Sequence, residues 1–149
     1  MLSNLSMLRD PTNKWPFRLG VAGLVPFYIG ALGCVLAKDN KTSSAWKQFN
    51  TKYGATILSF IGAVHWGAAL SATSTIRSRQ FVFSVVPALG AFGSLILGQP
   101  LAIWSQSLMF VAIPLYEQRY LPTTPWYMRL RVVLSGGAFI AQSICGLIK

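Results

Sequence analysis

The chain holds few side chains that could do chemistry, and the most conspicuous is His65, the only histidine among 149 residues. It lies inside Tyr53–Thr75, a stretch that no Lys, Arg, Asp or Glu interrupts. Counted along an α-helix from Tyr53, His65 falls near the centre of a bilayer. An ionisable group at that depth is costly and usually has a purpose. His65 is therefore the first candidate for a functional residue.

Three roles are open for His65. The favoured one is a neutral imidazole that hydrogen-bonds to another helix, with Ser84, Ser94, Tyr28 or Gln106 as its partner. The alternatives are proton transfer or contact with a quinone, and ligation of a haem iron. A bis-histidyl haem would need a second chain, because this one supplies a single histidine.

Other signs of catalysis are scarce. The three acids, Asp10, Asp39 and Glu117, lie at span ends or in tails, and no two are near each other in sequence. Ser59 and His65 share a predicted helix but point in different directions around it, so they form no dyad. Nucleotide-binding, hydrolase and metalloprotease motifs are missing from the sequence. We expect a non-enzyme with no cofactor of its own.

The two cysteines, Cys34 and Cys145, both lie in apolar stretches and are far apart in the sequence. There is no Cys-x-x-Cys pair and no clustering with histidine. The expectation is two small, buried, inert thiols, without a disulfide framework or a metal site.

Composition indicates that lipid is the main solvent. Hydrophobic residues make up 53% of the chain and charged residues only 11%, against about 25% charged in an ordinary soluble domain. The net charge of +10 is spread over short segments between apolar spans. That placement favours anionic headgroups such as those of cardiolipin over nucleic acid.

Five apolar segments predict an all-α, polytopic membrane protein that forms a single membrane domain. The predicted spans are Leu19–Ala37, Tyr53–Thr75, Phe81–Leu97, Leu101–Tyr116 and Val132–Ile148. The third and fourth are separated at Gly98-Gln99-Pro100, a turn signal. Residues 1–14 form a polar tail that is either a weak targeting segment or simply a tail.

The segment before the second span predicts a short amphipathic helix in the membrane interface. Ser43 or Ser44 could cap it, and Trp46, Phe49 and Tyr53 then share one face. Such a helix would lie in the headgroup region and lead into the second span.

Charge asymmetry predicts the orientation. With five spans, eight of the thirteen basic residues fall on the N-terminal side, which favours the mitochondrial matrix or the bacterial cytoplasm for that side. The arginines expected to hold lipid phosphates there are Arg18, Arg77, Arg79, Arg129 and Arg131.

Small residues repeat along the second span. Ala55, Ser59, Ala63 and Gly67 recur every four positions, and Gly62 lies beside them. Such stripes let helices approach closely, so a packing face is predicted. The alternative is a groove for a lipid tail or a quinone.

Several motifs resemble the transmembrane protein 69-like family of small mitochondrial and bacterial membrane proteins. The most specific are Tyr53-Gly54-Ala55, Ile57–Gly62 and His65-Trp66-Gly67. Supporting motifs are Pro26-Phe27, Val86-Pro87 and Pro125–Arg131. The resemblance implies a helical protein of the mitochondrial inner membrane, or of a bacterial inner membrane, and no particular activity.

Together these features predict a non-catalytic accessory subunit of a mitochondrial inner-membrane complex, foremost one of the electron-transport (respiratory) chain. Its partners would be other membrane subunits and anionic lipids. The alternative is a stand-alone small transporter, channel or assembly factor with His65 lining a cavity.

Overall fold

The computed structural model describes residues 14–72, 74–121 and 123–148, without the side chains of Ser74 and Thr75. The polar tail that the sequence predicts over residues 1–14 therefore lies almost wholly outside the described residues.

The described residues fold into helices joined by short connections, which confirms the all-α prediction. The helices are α1 (Lys14–Ala22), α2 (Val25–Leu36), α3 (Asn40–Leu70), α4 (Ser74–Ile96), α5 (Leu101–Tyr120) and α6 (Pro125–Leu147). Four helical stretches have the length and composition to cross a membrane, namely Lys14–Leu36, Asn40–Leu70, Ile76–Ile96 and Pro125–Leu147. The fourth predicted span, Leu101–Tyr116, corresponds to α5, which is not one of these four stretches.

The first predicted span is two helices rather than one. α1 ends at Ala22 and α2 begins at Val25, with Pro26 in the first turn of α2. Proline has no backbone N–H to donate and fits best in the first turn of a helix. The helical path therefore breaks at Gly23 and Leu24.

The predicted interfacial helix and the second span form one continuous helix of 31 residues, α3. No glycine or proline interrupts its first half before Gly54, so nothing ends the helix at the membrane surface. The cap is Asp39, not Ser43 or Ser44. Its Oδ1 accepts a hydrogen bond from Thr42 N at 2.8 Å.

α3 lies at the centre of the bundle and packs against α2, α4, α5 and α6. Glycines make the closest approaches: Gly62 lies against the Ser84 carbonyl of α4, and Gly33 of α2 lies under the ring of Trp46. A Cβ at either glycine would collide with these neighbours. Small residues therefore set the helix spacing, as is usual in membranes.

α5 buries polar side chains beside apolar ones and exposes leucines. Its buried side carries Gln106, Ser107 and Glu117, while Leu108 and Leu115 are exposed. Polar groups inside and leucines outside are expected of a helix surrounded by lipid and protein, because hydrocarbon cannot satisfy polar groups. This arrangement turns the polar groups of α5 towards the neighbouring helices.

Candidate functional site: a buried charged cluster

Three helices bring their ionisable side chains together inside the bundle. His65 of α3, Glu117 of α5 and Arg131 of α6 form what we call the charged cluster. His65 Nε2 lies 2.7 Å from Glu117 Oε1. Arg131 binds the same carboxylate side-on, with Nε 2.9 Å from Oε2 and Nη2 3.0 Å from Oε1. Glu117 is completely buried, and the exposed fractions of His65 and Arg131 are 3% and 8%.

The cluster lies towards one end of the bundle rather than at its middle. His65 is in the last two turns of α3, Glu117 in the last turn of α5, and Arg131 at the end of the second turn of α6. The continuous α3 begins at Asn40, well before the predicted start of the span, and this displaces His65 towards the helix end. In a helix that crosses a membrane, positions near the helix ends are closer to the interface than to the bilayer centre, and a buried charge costs less there.

Hydrogen-bond chemistry fixes the proton on His65. An ionised carboxylate only accepts hydrogen bonds, so the imidazole Nε2 must donate to Glu117 Oε1. Arg131 supplies the positive charge that balances Glu117, and the side-on pairing with two N–H donors is the strong geometry for such a pair. The cluster thus holds a matched charge pair with a polar imidazole attached to it.

Aromatic rings cover His65. Phe83 meets the imidazole edge to face at a centroid distance of 5.0 Å and itself stacks on Tyr116 at 4.4 Å. These rings shield the imidazole from the surroundings of the bundle. In a medium of low polarity the hydrogen bonds of the cluster strengthen, and leaving any of its members unpaired becomes costly.

The partner of His65 is not one of the four residues expected from the sequence. Ser84 and Ser94 donate to carbonyls of their own helix, Tyr28 is exposed, and Gln106 belongs to another cluster. The sequence does not indicate Glu117 as this partner, because Glu117 lies at the end of a predicted span. The available signal was its rarity, since it is one of only three acids in the chain.

The arginines predicted to bind lipid phosphates divide into two groups. Arg18, Arg77, Arg79 and Arg129 are exposed, and Arg77 Nε also donates to the Ala72 carbonyl. Arg131 differs from the prediction, because its guanidinium is buried and paired with Glu117 rather than turned to headgroups. Along α6 it shares the inner face with Ser135 and Ala138, one and two turns further on.

The predicted packing stripe of α3 is only partly on its packing face. Ala55 and Gly62 are buried, whereas Ser59, Ala63 and Gly67 are exposed. A strict four-residue repeat rotates around an α-helix, because four residues exceed one turn of 3.6. The stripe therefore rotates away from the packing face towards the C-terminal end of α3. Residues spaced alternately by four and three positions stay on one face, so Leu58, Gly62 and His65 all point inward.

A second polar group, the amide cluster, lies at the opposite end of the bundle. Gln142 Nε2 donates to Gln106 Oε1 at 2.8 Å, and Gln106 Nε2 donates to Ser94 Oγ at 2.8 Å and to the Thr51 carbonyl at 3.0 Å. Ser107 Oγ donates to Gln142 Oε1 at 3.3 Å. We define the amide cluster as these five residues, which tie α3, α4, α5 and α6 together without any charge.

A lateral cavity of about 400 Å³ opens between α1, α2, α3, α5 and α6 beside the charged cluster. Its walls are mainly aliphatic and aromatic, with Phe27, Phe60 and Leu134 among them, and Arg131 lies in the wall. Its size is within the range of small-molecule and lipid sites. His65 is not among the residues that line it.

The part of the chain that the structure describes contains no preformed site for a metal ion or a haem iron. There, no group of three His, Cys, Asp or Glu side chains is close enough to hold a metal ion. His65 Nε2 already donates to Glu117, so ligation of haem iron by that atom would require this hydrogen bond to break.

Comparison with known proteins identifies relatives. Residues 12–147 match the family model described as "Protein of unknown function (DUF3429)". Transmembrane protein 69 of Xenopus tropicalis is 33% identical over 125 residues, which is 78% of this chain and 47% of that protein. Transmembrane protein 69 of Mus musculus is 29% identical over 144 residues, which is 93% of this chain and 58% of that protein. The chain thus spans about half the length of these curated relatives, and no solved structure matches it.

Proposed function

The chain belongs to the DUF3429 family, and from that premise we propose that it is a non-catalytic accessory subunit of a mitochondrial inner-membrane complex, foremost of the respiratory chain. The observation that carries the proposal is that the three side chains of the charged cluster bind one another. The Glu117 carboxylate accepts hydrogen bonds from both His65 and Arg131. Phe83 covers the imidazole of His65, and His65 does not line the cavity. Such a cluster is suited to locking three helices together.

The outer surface supports docking against other membrane helices. Ser59, Ala63 and Gly67 form an exposed strip of small residues on α3, and a Cβ added at Gly67 would meet nothing within 4 Å. A strip of this kind allows a helix of another subunit to approach closely. The connections between the described helices are short, so the membrane surface of the bundle is the main area available to a partner.

Bound anionic lipid would be part of the same structural role. Arg18 and Arg129 are exposed, and Pro16 of α1 and Trp126 of α6 line the cavity. We propose that a phospholipid such as cardiolipin places its phosphate among these arginines and an acyl chain in the cavity. The N-terminal side, which carries these residues, would then face the matrix.

Native electrophoresis of mitochondrial membranes solubilised in a mild detergent tests the proposal. We expect the protein to migrate with a complex much larger than its own 16.3 kDa. Migration as a free monomer in mild detergent would contradict it.

A pair of glycine variants sharpens this test. Gly67→Leu alters the exposed strip of α3, and Gly93→Leu is the matched control on α4, because both positions have open space around a Cβ. We expect Gly67→Leu to release the protein from the complex and Gly93→Leu to leave it in place. Equal behaviour of the two variants would contradict docking through α3.

The cavity favours a second candidate, a stand-alone transporter, channel or assembly factor. Arg131 joins the cavity wall to the charged cluster, so a ligand there could act on the cluster indirectly. This candidate predicts that His65→Ala abolishes function while the protein still accumulates as a folded monomer. Under the accessory-subunit proposal, His65→Ala lowers the stability of the protein and the yield of the complex together.

A further inference from the structure

The two cysteines of the chain face each other across the bundle. Cys34 in α2 and Cys145 in α6 are separated by 111 positions in the sequence, yet their Sγ atoms lie 2.6 Å apart. Both residues are completely buried and both are free thiols in the structure. They are also the only two cysteines of the chain, so each is the other's sole intramolecular candidate for a covalent bond.

Neighbouring groups hold the two sulfur atoms in this arrangement. Asn50 Nδ2 donates to Cys145 Sγ at 3.3 Å and to the Phe27 carbonyl at 3.0 Å. Gly30 gives the room for this contact, since a Cβ there would press on the Asn50 side chain. The alignment of α2, α3 and α6 at this level is therefore fixed by packing as well as by the cysteines.

The pair lies at the end of the bundle opposite to the exposed arginines. Cys34 is in the last turn of α2 and Cys145 in the last turn of α6, where Lys47 Nζ also donates to the Ile148 carbonyl. If the N-terminal side faces the matrix or cytoplasm, this end faces the intermembrane space or the periplasm. Disulfides form and persist on that side of a membrane far more readily than in reducing compartments.

We propose that Cys34 and Cys145 form an intramolecular disulfide that staples α2 to α6 in the mature protein. Each thiol loses its proton, and the two electrons pass to the disulfide of a thiol–disulfide oxidoreductase, which leaves as a dithiol. The exchange takes place while α2 and α6 close on each other, because the folded bundle buries both sulfur atoms. The inference rests on the proposed orientation but not on membership of a complex.

Alkylation under denaturing conditions tests the bond. Membranes are quenched with N-ethylmaleimide at lysis, dissolved in SDS, then treated with or without reductant before labelling with maleimide–polyethylene glycol. We expect no label without reductant and two labels after it. In a parallel sample without the first quench, unreduced wild-type protein that takes two labels in SDS would overturn the proposal.

Single-cysteine variants make the assignment specific. Cys34→Ser and Cys145→Ser should each take one label in SDS without reductant when the quench is omitted, because the remaining thiol has lost its partner. A disulfide-linked dimer of the wild-type chain on a non-reducing gel, dissolved by reductant, would assign the cysteines to an intermolecular bond and overturn the proposal. The double variant Cys34→Ser/Cys145→Ser should unfold at a lower temperature than the oxidised protein and at a temperature unaffected by reductant.

Discussion

The charged cluster and the amide cluster both satisfy buried polar groups, the first through a charge pair and the second through neutral hydrogen bonds. Both hold polar groups in the interior of a bundle that lipid surrounds, and both link several helices. In the charged cluster one carboxylate, Glu117, receives all the hydrogen bonds from His65 and Arg131. In the amide cluster the hydrogen bonds pass from Gln142 to Gln106 and on to Ser94 in a chain.

This difference sets how each cluster should respond to loss of one member. Removing Glu117 would leave a buried guanidinium without its counter-charge, which is among the costliest defects in a protein interior. Removing one amide leaves uncharged groups, and in membrane proteins such hydrogen bonds contribute modestly because alternative partners are close. We therefore expect the loss of one member to destabilise the protein more in the charged cluster than in the amide cluster.

The largest effect should come from Glu117→Gln. We expect it to lower the free energy of unfolding by about 3–5 kcal/mol, because Arg131 keeps its buried charge and loses the carboxylate. Unfolding by SDS titration in mixed micelles, followed by circular dichroism, measures the change. The double variant Glu117→Gln/Arg131→Met is the control and should recover most of the loss. A double variant as unstable as the single one would show that the cluster is not held by its charge pair.

A substitution at Gly54 tests how tightly the amide cluster is packed. A Cβ there would collide with Gln106 Oε1 and Gln142 Nε2, so Gly54→Ala should destabilise the protein by about 1–3 kcal/mol through overpacking. Gly67→Ala, on the open face of the same helix, is the matched control and should change stability little. If both variants unfold at the same SDS fraction, the amides have room to move and the cluster is looser than its geometry indicates.

Gln106→Leu should have a smaller effect, about 1 kcal/mol, although it deletes the central amide. The leucine retains much of the side-chain volume, and the groups left behind are uncharged. The same SDS titration measures it. A loss as large as that of Glu117→Gln would remove the proposed difference between a charged and a neutral interior network.

The smallest effect is expected outside both clusters, at the exposed cap of α3. The hydrogen bonds from Thr42 to its carboxylate hold the pKa of Asp39 below the usual range. The stabilisation from this carboxylate is complete above the unfolded-state pKa and is lost as the pH falls through the lower, folded-state pKa, that is, below about pH 4. Asp39→Asn should keep the cap and remove this part of the acid sensitivity in thermal unfolding followed at several pH values. An unchanged pH profile would assign the acid sensitivity elsewhere.

Much of the fold could be predicted from composition and the positions of apolar stretches. The apolar stretches and the all-helical class follow from the need to satisfy every backbone group in lipid, and the turn at Gly98–Pro100 follows from its glycine and proline. Helix ends were less predictable. Pro26 divides the first span, and α3 runs on through the predicted interfacial segment because no residue there stops a helix.

The candidate site was predicted only in part. The sequence singled out His65, since the only histidine of the chain lies in an apolar stretch. It did not reveal Glu117 and Arg131 as the partners, because residues from three helices meet only after the helices pack. The same limit applies to Cys34 and Cys145, whose separation of 111 positions gave no indication of contact.

The sequence by itself determined that this is a helical membrane protein with a net positive charge and a single histidine, because hydrophobicity and charge are properties of each residue along the chain. Tertiary structure alone decided which polar groups share the interior and which small residues face lipid. Those outcomes depend on the rotation of each helix about its axis. Glycine contacts such as Gly62 against Ser84 set that rotation, and no single helix encodes them.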